Sequence, residues 1–512
     1  MIAKEKGLEP LANLILLQMT KEPLEKEAEA FINEEKDVKT IEDALKGAND
    51  IIAEHIADDA EYRTWIRKAT WDHGKITSSA KKPEESSVFE MYYDFEEPIK
   101  KIAGYRILAI NRGEKEGILQ VKIEPDMQKI ASYLARKIVT KKNPNTTKAL
   151  FAAIEDSYKR LIAPSIERDI RNELTENAST EAIKVFGKNL TQLLMQPPIA
   201  GQVVLGWDPA FRTGCKLAVV DATGKVLDTV VIYPTAPQNK VEEAKKVVKA
   251  LIKKYGITLI SIGNGTASRE SEQIVVDMLK EIKEPVQYVI TNEAGASVYS
   301  ASKLATEEFP NFDVGQRSAT SIARRVQDPL AELVKIEPKA IGVGQYQHDM
   351  NQKQLSEALG GVVEATVNKV GVDLNTASAS LLEYVSGVSK AVAKNIVAYR
   401  EENGMFKNRK QLLKVAKLGP KAFEQCAGFL RVSGGDEPLD ATGVHPETYK
   451  ETGMLLKNLG YSTKELSQEG FQGISSKITD YKKLSEELGV GEITLKDIVK
   501  ELEKPGRDPR ED

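Results

Sequence analysis

Leu381 to Val432 reads LLEYVSGVSKAVAKNIVAYREENGMFKNRKQLLKVAKLGPKAFEQCAGFLRV, one short helix-turn-helix pattern written twice. In each copy an apolar residue precedes a glycine, a short turn follows and a lysine opens a helix. The first copy is Val385-Ser386-Gly387-Val388-Ser389-Lys390 and the second is Ala416-Lys417-Leu418-Gly419-Pro420-Lys421. Glycine lets the backbone turn tightly or into the left-handed region. That aims the free amides of the next helix at an anion, and the lysine adds positive charge. A phosphate group suits such a turn. The candidate phosphate-contacting residues are Gly387, Ser389 and Lys390 in the first copy, Lys417, Gly419 and Lys421 in the second, and Arg409 and Lys410 from the linking segment. A single turn of this kind would read as an ordinary helix C-cap. Repetition with the linker Tyr399 to Leu413 argues for more. Ser389 stands where a second glycine is expected, so the first turn is expected to hold phosphate less closely than the second.

The repeated pattern resembles a tandem helix-hairpin-helix, and charge supports that resemblance. The 512 residues carry 72 Lys+Arg against 76 Asp+Glu, a net charge of −4, which is not the basic excess of a dedicated nucleic-acid coat. Thr366 to Val432 nevertheless holds 11 basic residues against 5 acidic ones, a local net of +6, so the remainder carries −10. A basic island with phosphate-shaped turns inside it favours contact with a nucleic-acid backbone, which positions a protein without reading bases. Mean hydropathy is −0.35 and no apolar run approaches the ~20 residues that span a bilayer, so no membrane partner is expected. The start, Met1 to Leu8, has no apolar signal core. Two cysteines, Cys215 and Cys426, exclude a Cys-based zinc site, and four scattered histidines do not make a metal set. A reducing cytoplasm fits this usage.

The sequence reads as a multidomain, mainly α chain with one α/β domain. Residues 1–200 form a helical module, with apolar residues at three- and four-residue intervals over Ile41 to Asp58, Ala60 to Thr70, Asp126 to Val139 and Thr146 to Glu173. A β-hairpin is expected inside it, from strands Arg106 to Ile110 and Ile118 to Ile123 joined by a solvated charged loop. In residues 201–335, three strands (203–208, 216–221 and 226–232) make an antiparallel meander, followed by helix, strand, helix, strand and helices. This βββαβαβα order is that of RNase H-like domains. A connector helix (336–370), the hairpin pair (371–433), a helical domain (434–505) and a disordered tail (506–512) complete the chain.

Taken together the chain resembles the Tex family of bacterial transcription accessory proteins. The runs that carry the resemblance are Glu5 to Ala12, Ala109 to Gly117, Leu205 to Lys216, Asn292 to Ser300 and Gly344 to Asp349. The resemblance implies a helical N-terminal region, a YqgF-type RNase H-like domain, tandem helix-hairpin-helix motifs and a further helical domain. Against the family pattern the chain reads as a core without the upstream helical segment and the C-terminal OB-fold RNA-binding domain. The implied role is a largely non-catalytic nucleic-acid-binding transcription accessory factor. Its implied partners are RNA or DNA and RNA polymerase or other transcription proteins, and the expected state is a monomer. By resemblance to the YqgF and RuvC pattern, the acids that would serve as catalytic residues and Mg²⁺ ligands are Asp208, Glu293 and Asp328. No cofactor is required for the leading role. The alternative is an Mg²⁺-dependent structure-selective nuclease or junction resolvase built on those three acids. Arg212 and Lys216, near them, are expected to suit a phosphate under either reading.

Overall fold

The computed structural model describes residues 2–506 and 508–511. The chain divides into two compact units, 1–184 and 185–512.

The first unit is mostly helical. Helix α1 (Ile41–Asp58) is capped by the Thr40 hydroxyl and buries Ile51, Ile52 and Ile56. The expected hairpin is corrected here. Arg106 to Ile110 is not a strand but lies in helix α2 (Gly104–Lys115), where Ile107, Leu108, Ala109 and Ile110 are all buried. Four consecutive buried residues suit a helix packed on more than one side, and a short apolar run looks the same in either state. The second strand exists as β3 (Leu119–Glu124), but its partner is β1 (Lys75–Ala80), which pairs on its other side with β2 (Asp94–Pro98). Strands β1 and β2 are largely polar and carry too little alternation to be seen in advance. The loop expected to be solvated is the end of α2, and Glu114 there accepts from Arg171 at 2.7 Å.

The second unit opens with the α/β domain. Strands β4 (Val204–Asp208), β5 (Cys215–Val220) and β6 (Val226–Ile232) form the antiparallel meander, and β7 (Leu259–Gly263) and β8 (Gln287–Thr291) add in parallel. The strand order is β6-β5-β4-β7-β8. Strands β4, β5 and β7 are apolar on both faces because helices cover both. On one side α3 (Val241–Tyr255) and α4 (Ser268–Leu279) close a core of Leu205, Trp207, Leu217, Val248, Ile260 and Ile262. On the other lies α5 (Val314–Gln327), begun by an Asp313–Gln316 capping box. Gly206 makes that helix's approach possible. A Cβ there would collide with the Ala319 carbonyl oxygen and stand 2.8 Å from the Ala323 methyl.

Helix α6 (Pro329–Leu333) follows, and then the connector α7 (Gln352–Val370). The hairpin pair is closed by two short parallel strands, β9 (Val372–Asp373) and β10 (Leu430–Arg431). A separate core of Leu455, Leu456, Leu495, Ile498 and Leu502 holds the last module. The tail departs from the expected disorder. Arg510 is buried and donates to Asp508 and, at 2.6 Å, to Asp328, while Arg507 and Asp512 lie outside the described residues. No helix among the described residues is long and apolar enough to cross a membrane.

Replacing Gly206 with alanine forces α5 off the sheet and should cost about 1–3 kcal/mol. Urea unfolding followed by Trp207 fluorescence in a Trp65→Phe/Trp71→Phe background would measure the loss.

Candidate nucleic-acid interface and acid pocket

The two hairpins are related residue by residue, but not in the register their glycines suggest. Val388 N donates to Val385 O at 3.0 Å, and Leu418 N donates to Val415 O at 3.2 Å. Leu382, Val385 and Val388 are buried in the first copy, and Leu412, Val415 and Leu418 in the second. Gly387 therefore corresponds to Lys417, and Ser389 to Gly419. The left-handed position is Gly387 (φ 86°) in the first turn and Lys417 (φ 66°) in the second, whereas Gly419 is extended. Gly419 is thus not the turn glycine. It replaces the Ser389 side chain, whose oxygen accepts from Val392 N at 3.2 Å and caps helix α8 (Lys390–Asn403).

The copies also latch each other. Asn395 of α8 donates to Ala416 O at 2.9 Å in the second turn, and Gln425 of α9 (Pro420–Cys426) donates to the Ser386 hydroxyl at 3.1 Å in the first. Asn395 and Gln425 each stand six residues after their helix N-cap, so the latch is a pseudo-twofold pair. Gly387 lies under Gln425, and a Cβ there would stand 2.9 Å from Gln425 Cβ. Sequence reasoning missed both amides, because the offset is visible only in the correct register.

Of the residues expected to contact phosphate, Ser389, Lys390, Lys410, Lys417, Gly419 and Lys421 are exposed. Gly387 is partly buried beneath Gln425. Lys394, Lys407 and Lys414 add to the exposed set, and none of these lysines forms an ion pair among the described residues. Arg409 is the exception. It is 1% exposed, and its guanidinium donates to the carbonyls of Leu430, Leu439, Thr442 and Val444 and to the Tyr449 hydroxyl. With its donors used inside the protein, Arg409 is a structural joint and not a phosphate contact.

In the α/β domain the structure brings two of the three candidate acids together. Asp208 ends β4, beside the Ser318 hydroxyl of α5. Glu293 follows β8, and its carboxylate lies over Gly263 and Gly265, where a Cβ on Gly265 would stand 2.8 Å from Glu293 Cδ. Burial raises both carboxyls above the ordinary range. The Asp208 charge raises Glu293 further, while Ser318 and Lys216 hold Asp208 down and Arg325 holds Glu293 down.

Asp328 is not with them. Its side chain caps α6 by accepting from Ala331 N at 3.1 Å, and it pairs with Arg510. Helix α5 instead presents Ser318 and Arg325 to the pocket. Arg325 is 3% exposed and donates to Asn292 O (2.7 Å) and Ala294 O (2.8 Å), on either side of Glu293. Among the described residues no three His, Cys, Asp or Glu side chains are grouped to share a metal ion. Two carboxylates beside a buried guanidinium do not fit the divalent-metal centre that the RNase H-like fold implies. Lys216 is likewise engaged, donating to Thr213 O (2.6 Å) and Gly214 O (3.0 Å).

An RNase H-like domain joined to paired helix-hairpin-helix motifs defines a class of multidomain nucleic-acid-associated proteins. Residues 202–327 match the Tex protein YqgF-like domain and 18–186 the Tex central region-like model. Residues 367–431 match a helix-hairpin-helix motif and 437–510 an HHH domain. The uncharacterized protein YdcI of Bacillus subtilis is 56% identical, over 100% of this chain and 71% of its own. Transcriptional accessory protein Tex of Neisseria gonorrhoeae is 44% identical over 99% of this chain and 67% of its own. The human S1 RNA-binding domain-containing protein 1 is 37% identical over 98% of this chain and 57% of its own. The chain belongs to the Tex family.

Two outcomes follow from this geometry. Lys417→Gly should raise stability by about 1 kcal/mol, since a non-glycine residue no longer occupies the left-handed region, and should weaken nucleic-acid binding. Thermal melts and gel shifts would check both effects. The raised Asp208 carboxyl means that the native state favours its protonated form. Its stabilising contribution is present below the ordinary Asp range and is lost as pH rises through the native value. Asp208→Asn should therefore raise Tm at pH 7 and flatten the fall in Tm that sets in as pH rises above the ordinary Asp range.

Proposed function

We propose that this chain is a nucleic-acid-binding accessory factor of transcription, a scaffold that grips backbone phosphates through its paired hairpins and performs no cleavage. The observation that carries the reading is the set of exposed lysines, Lys390, Lys394, Lys407, Lys410, Lys414, Lys417 and Lys421, which form no ion pair among the described residues and surround two latched turns. Lysines held for internal salt bridges would have carboxylate partners; these have solvent. Backbone contacts of this kind release counterions and give affinity without base sequence. At the second turn nothing lies within 4 Å of a Cβ built at Gly419.

The Asp208–Glu293 pocket supports a scaffold better than a nuclease. Its third carboxylate position is taken by Ser318 and Arg325. Names among the relatives, a transcriptional accessory protein and an S1 RNA-binding protein, agree in direction with this reading. RNA polymerase or other transcription proteins are the protein partners we propose, with the factor acting as a monomer in the cytoplasm. Binding to DNA or RNA duplexes should fall steeply with salt. Neutralising Lys390 and Lys421 should reduce the slope of log K against log salt by about one for each phosphate that is then left without its lysine. A flat salt response in gel shifts would refute the hairpin reading. Cleavage in Mg²⁺ that Asp208→Asn abolishes would refute the scaffold reading.

A further inference from the structure

The loop 209–214, which leaves β4 beside Asp208, is anchored through its backbone carbonyls. Ala210 O accepts from the Thr235 hydroxyl at 2.5 Å and from the Cys215 thiol at 3.5 Å. Arg212 O accepts from Gln238 at 2.9 Å, and Lys216 binds the carbonyls of Thr213 and Gly214. Phe211, Arg212 and Thr213 are exposed at the tip of this anchored loop. Tyr233, at the end of the edge strand β6, leans on the same loop. A Cβ on Gly214 would stand 2.7 Å from Tyr233 Cε1, and Gly214 takes φ 82°, so only glycine lets the ring settle there.

Neither ring is spent on another ring or on a cation among the described residues, and Phe211 is 36% and Tyr233 38% exposed. The Arg212 guanidinium has no hydrogen-bond or ion-pair partner among those residues. Lys240, whose amide donates to Tyr233 O at 2.8 Å, adds a second exposed cation. The facing acids are Asp313, which caps α5, and Asp208, whose carboxyl burial raises. The loop and the segment after β6 thus offer two exposed rings and two exposed cations, Arg212 and Lys240, alongside the acids Asp313, Glu242 and Glu243.

We propose that Phe211, Tyr233 and Arg212 form a stacking platform for single-stranded nucleic acid, with unpaired bases on the two rings and a backbone phosphate at Arg212. The inference rests on the nucleic-acid reading given above and adds a second contact that the hairpins do not supply. Exposed rings can stack only on bases whose faces are open, which selects single strands over duplex.

The test uses the full chain with a 12-nucleotide oligouridine carrying 5-iodouridine, crosslinked by light and mapped by peptide mass, together with anisotropy titrations of single-stranded and duplex probes. Crosslinks should fall on Phe211 or Tyr233. The double variant Phe211→Ala/Tyr233→Ala should weaken single-strand binding about tenfold and leave duplex binding within about twofold. Phe211→Tyr and Tyr233→Phe keep the rings and should retain affinity, which separates removal of the platform from disruption of the fold. Lys417→Gln/Lys421→Gln should weaken both probes. Crosslinks confined to the hairpins or the last module, or no selective loss in the double variant, would overturn the platform while leaving the hairpin reading standing. A wild-type chain that bound neither probe would overturn both. Protection of β6 from hydrogen exchange only by an added polypeptide would make the face a protein-docking surface and overturn the proposal as well.

Discussion

The burial of the Arg409 guanidinium governs how the nucleic-acid end of the molecule is arranged. A buried cation is tolerable only when its donors are satisfied and its charge is balanced. Here the fork reaches four carbonyls and the Tyr449 hydroxyl, while the Arg409 amide donates to Asp440 at 2.9 Å and Tyr449 also bonds Asp440. Asp440 is 2% exposed, so cation and anion are buried together. Lysine could not replace this arrangement, because one ammonium cannot reach donors spread over a planar fork. The second hairpin and the last helical module are thereby joined through this side chain, beside the His445 contact to Glu424 O and the Val432 N to Asp440 O hydrogen bond. The exposed lysines around that hairpin are displayed from a fixed base, so less ordering is needed when they meet phosphate.

A comparable internal balance holds the α/β domain. Glu293 lies against Gly263 and Gly265, with Arg325 donating on both sides of it. The charge chain runs on, since Glu332 influences Arg325, Lys335 binds Glu332 at 3.0 Å and Glu308 at 3.3 Å, and Arg324 binds Glu308 at 3.2 Å. Signs alternate from Glu293 through Arg325, Glu332, Lys335 and Glu308 back to Arg324, the neighbour of Arg325 in the last turn of α5. Glu293 Oε2 and Arg325 Nε and Nη2 are buried without a hydrogen-bond partner among the described residues, so the guanidinium acts on this carboxylate through space and not through a direct pair. Removing the Arg325 charge would leave a buried carboxylate with no cation to answer it, which costs more than the interaction contributes.

The parts legible in the sequence were those written in period or repetition. Apolar runs at 203–208, 216–221 and 226–232 announced the meander, and the doubled turn announced the hairpins. What could not be read depended on three-dimensional neighbours. Arg106 to Ile110 looked like a strand because a helix buried on more than one side shows no polar stripe. Strands β1 and β2 were silent because Ser78 is buried by a hydrogen bond to Tyr92 O and not by apolarity. Gly419 is the one glycine of Ala416 to Lys421, yet the left-handed residue is Lys417, and only the Leu418–Val415 hydrogen bond fixes that register. Arg409 looked like one more cation in a basic segment, and nothing local distinguishes a buried arginine from an exposed one. Asp328 lies one residue past the last turn of α5, where the chain bends and the acid becomes a cap.

Charge distribution ties the hairpins and the stacking platform together. At physiological ionic strength, fixed charges more than about 8–10 Å apart barely act on one another through solvent. The acidic remainder of the chain therefore does not cancel the basic island; it only keeps the rest of the surface from holding polyanions. Affinity is confined to the places where cations are clustered and unpaired. The hairpins offer charge without base edges, and the platform offers stacking, which every base can satisfy. Neither contact reads sequence. What the pair can distinguish is structure, because the hairpins need only a backbone whereas the rings need bases that have lost their neighbours. A molecule built this way recognises nucleic acid by how far it has opened, which is the property that changes as a strand is separated or released during transcription.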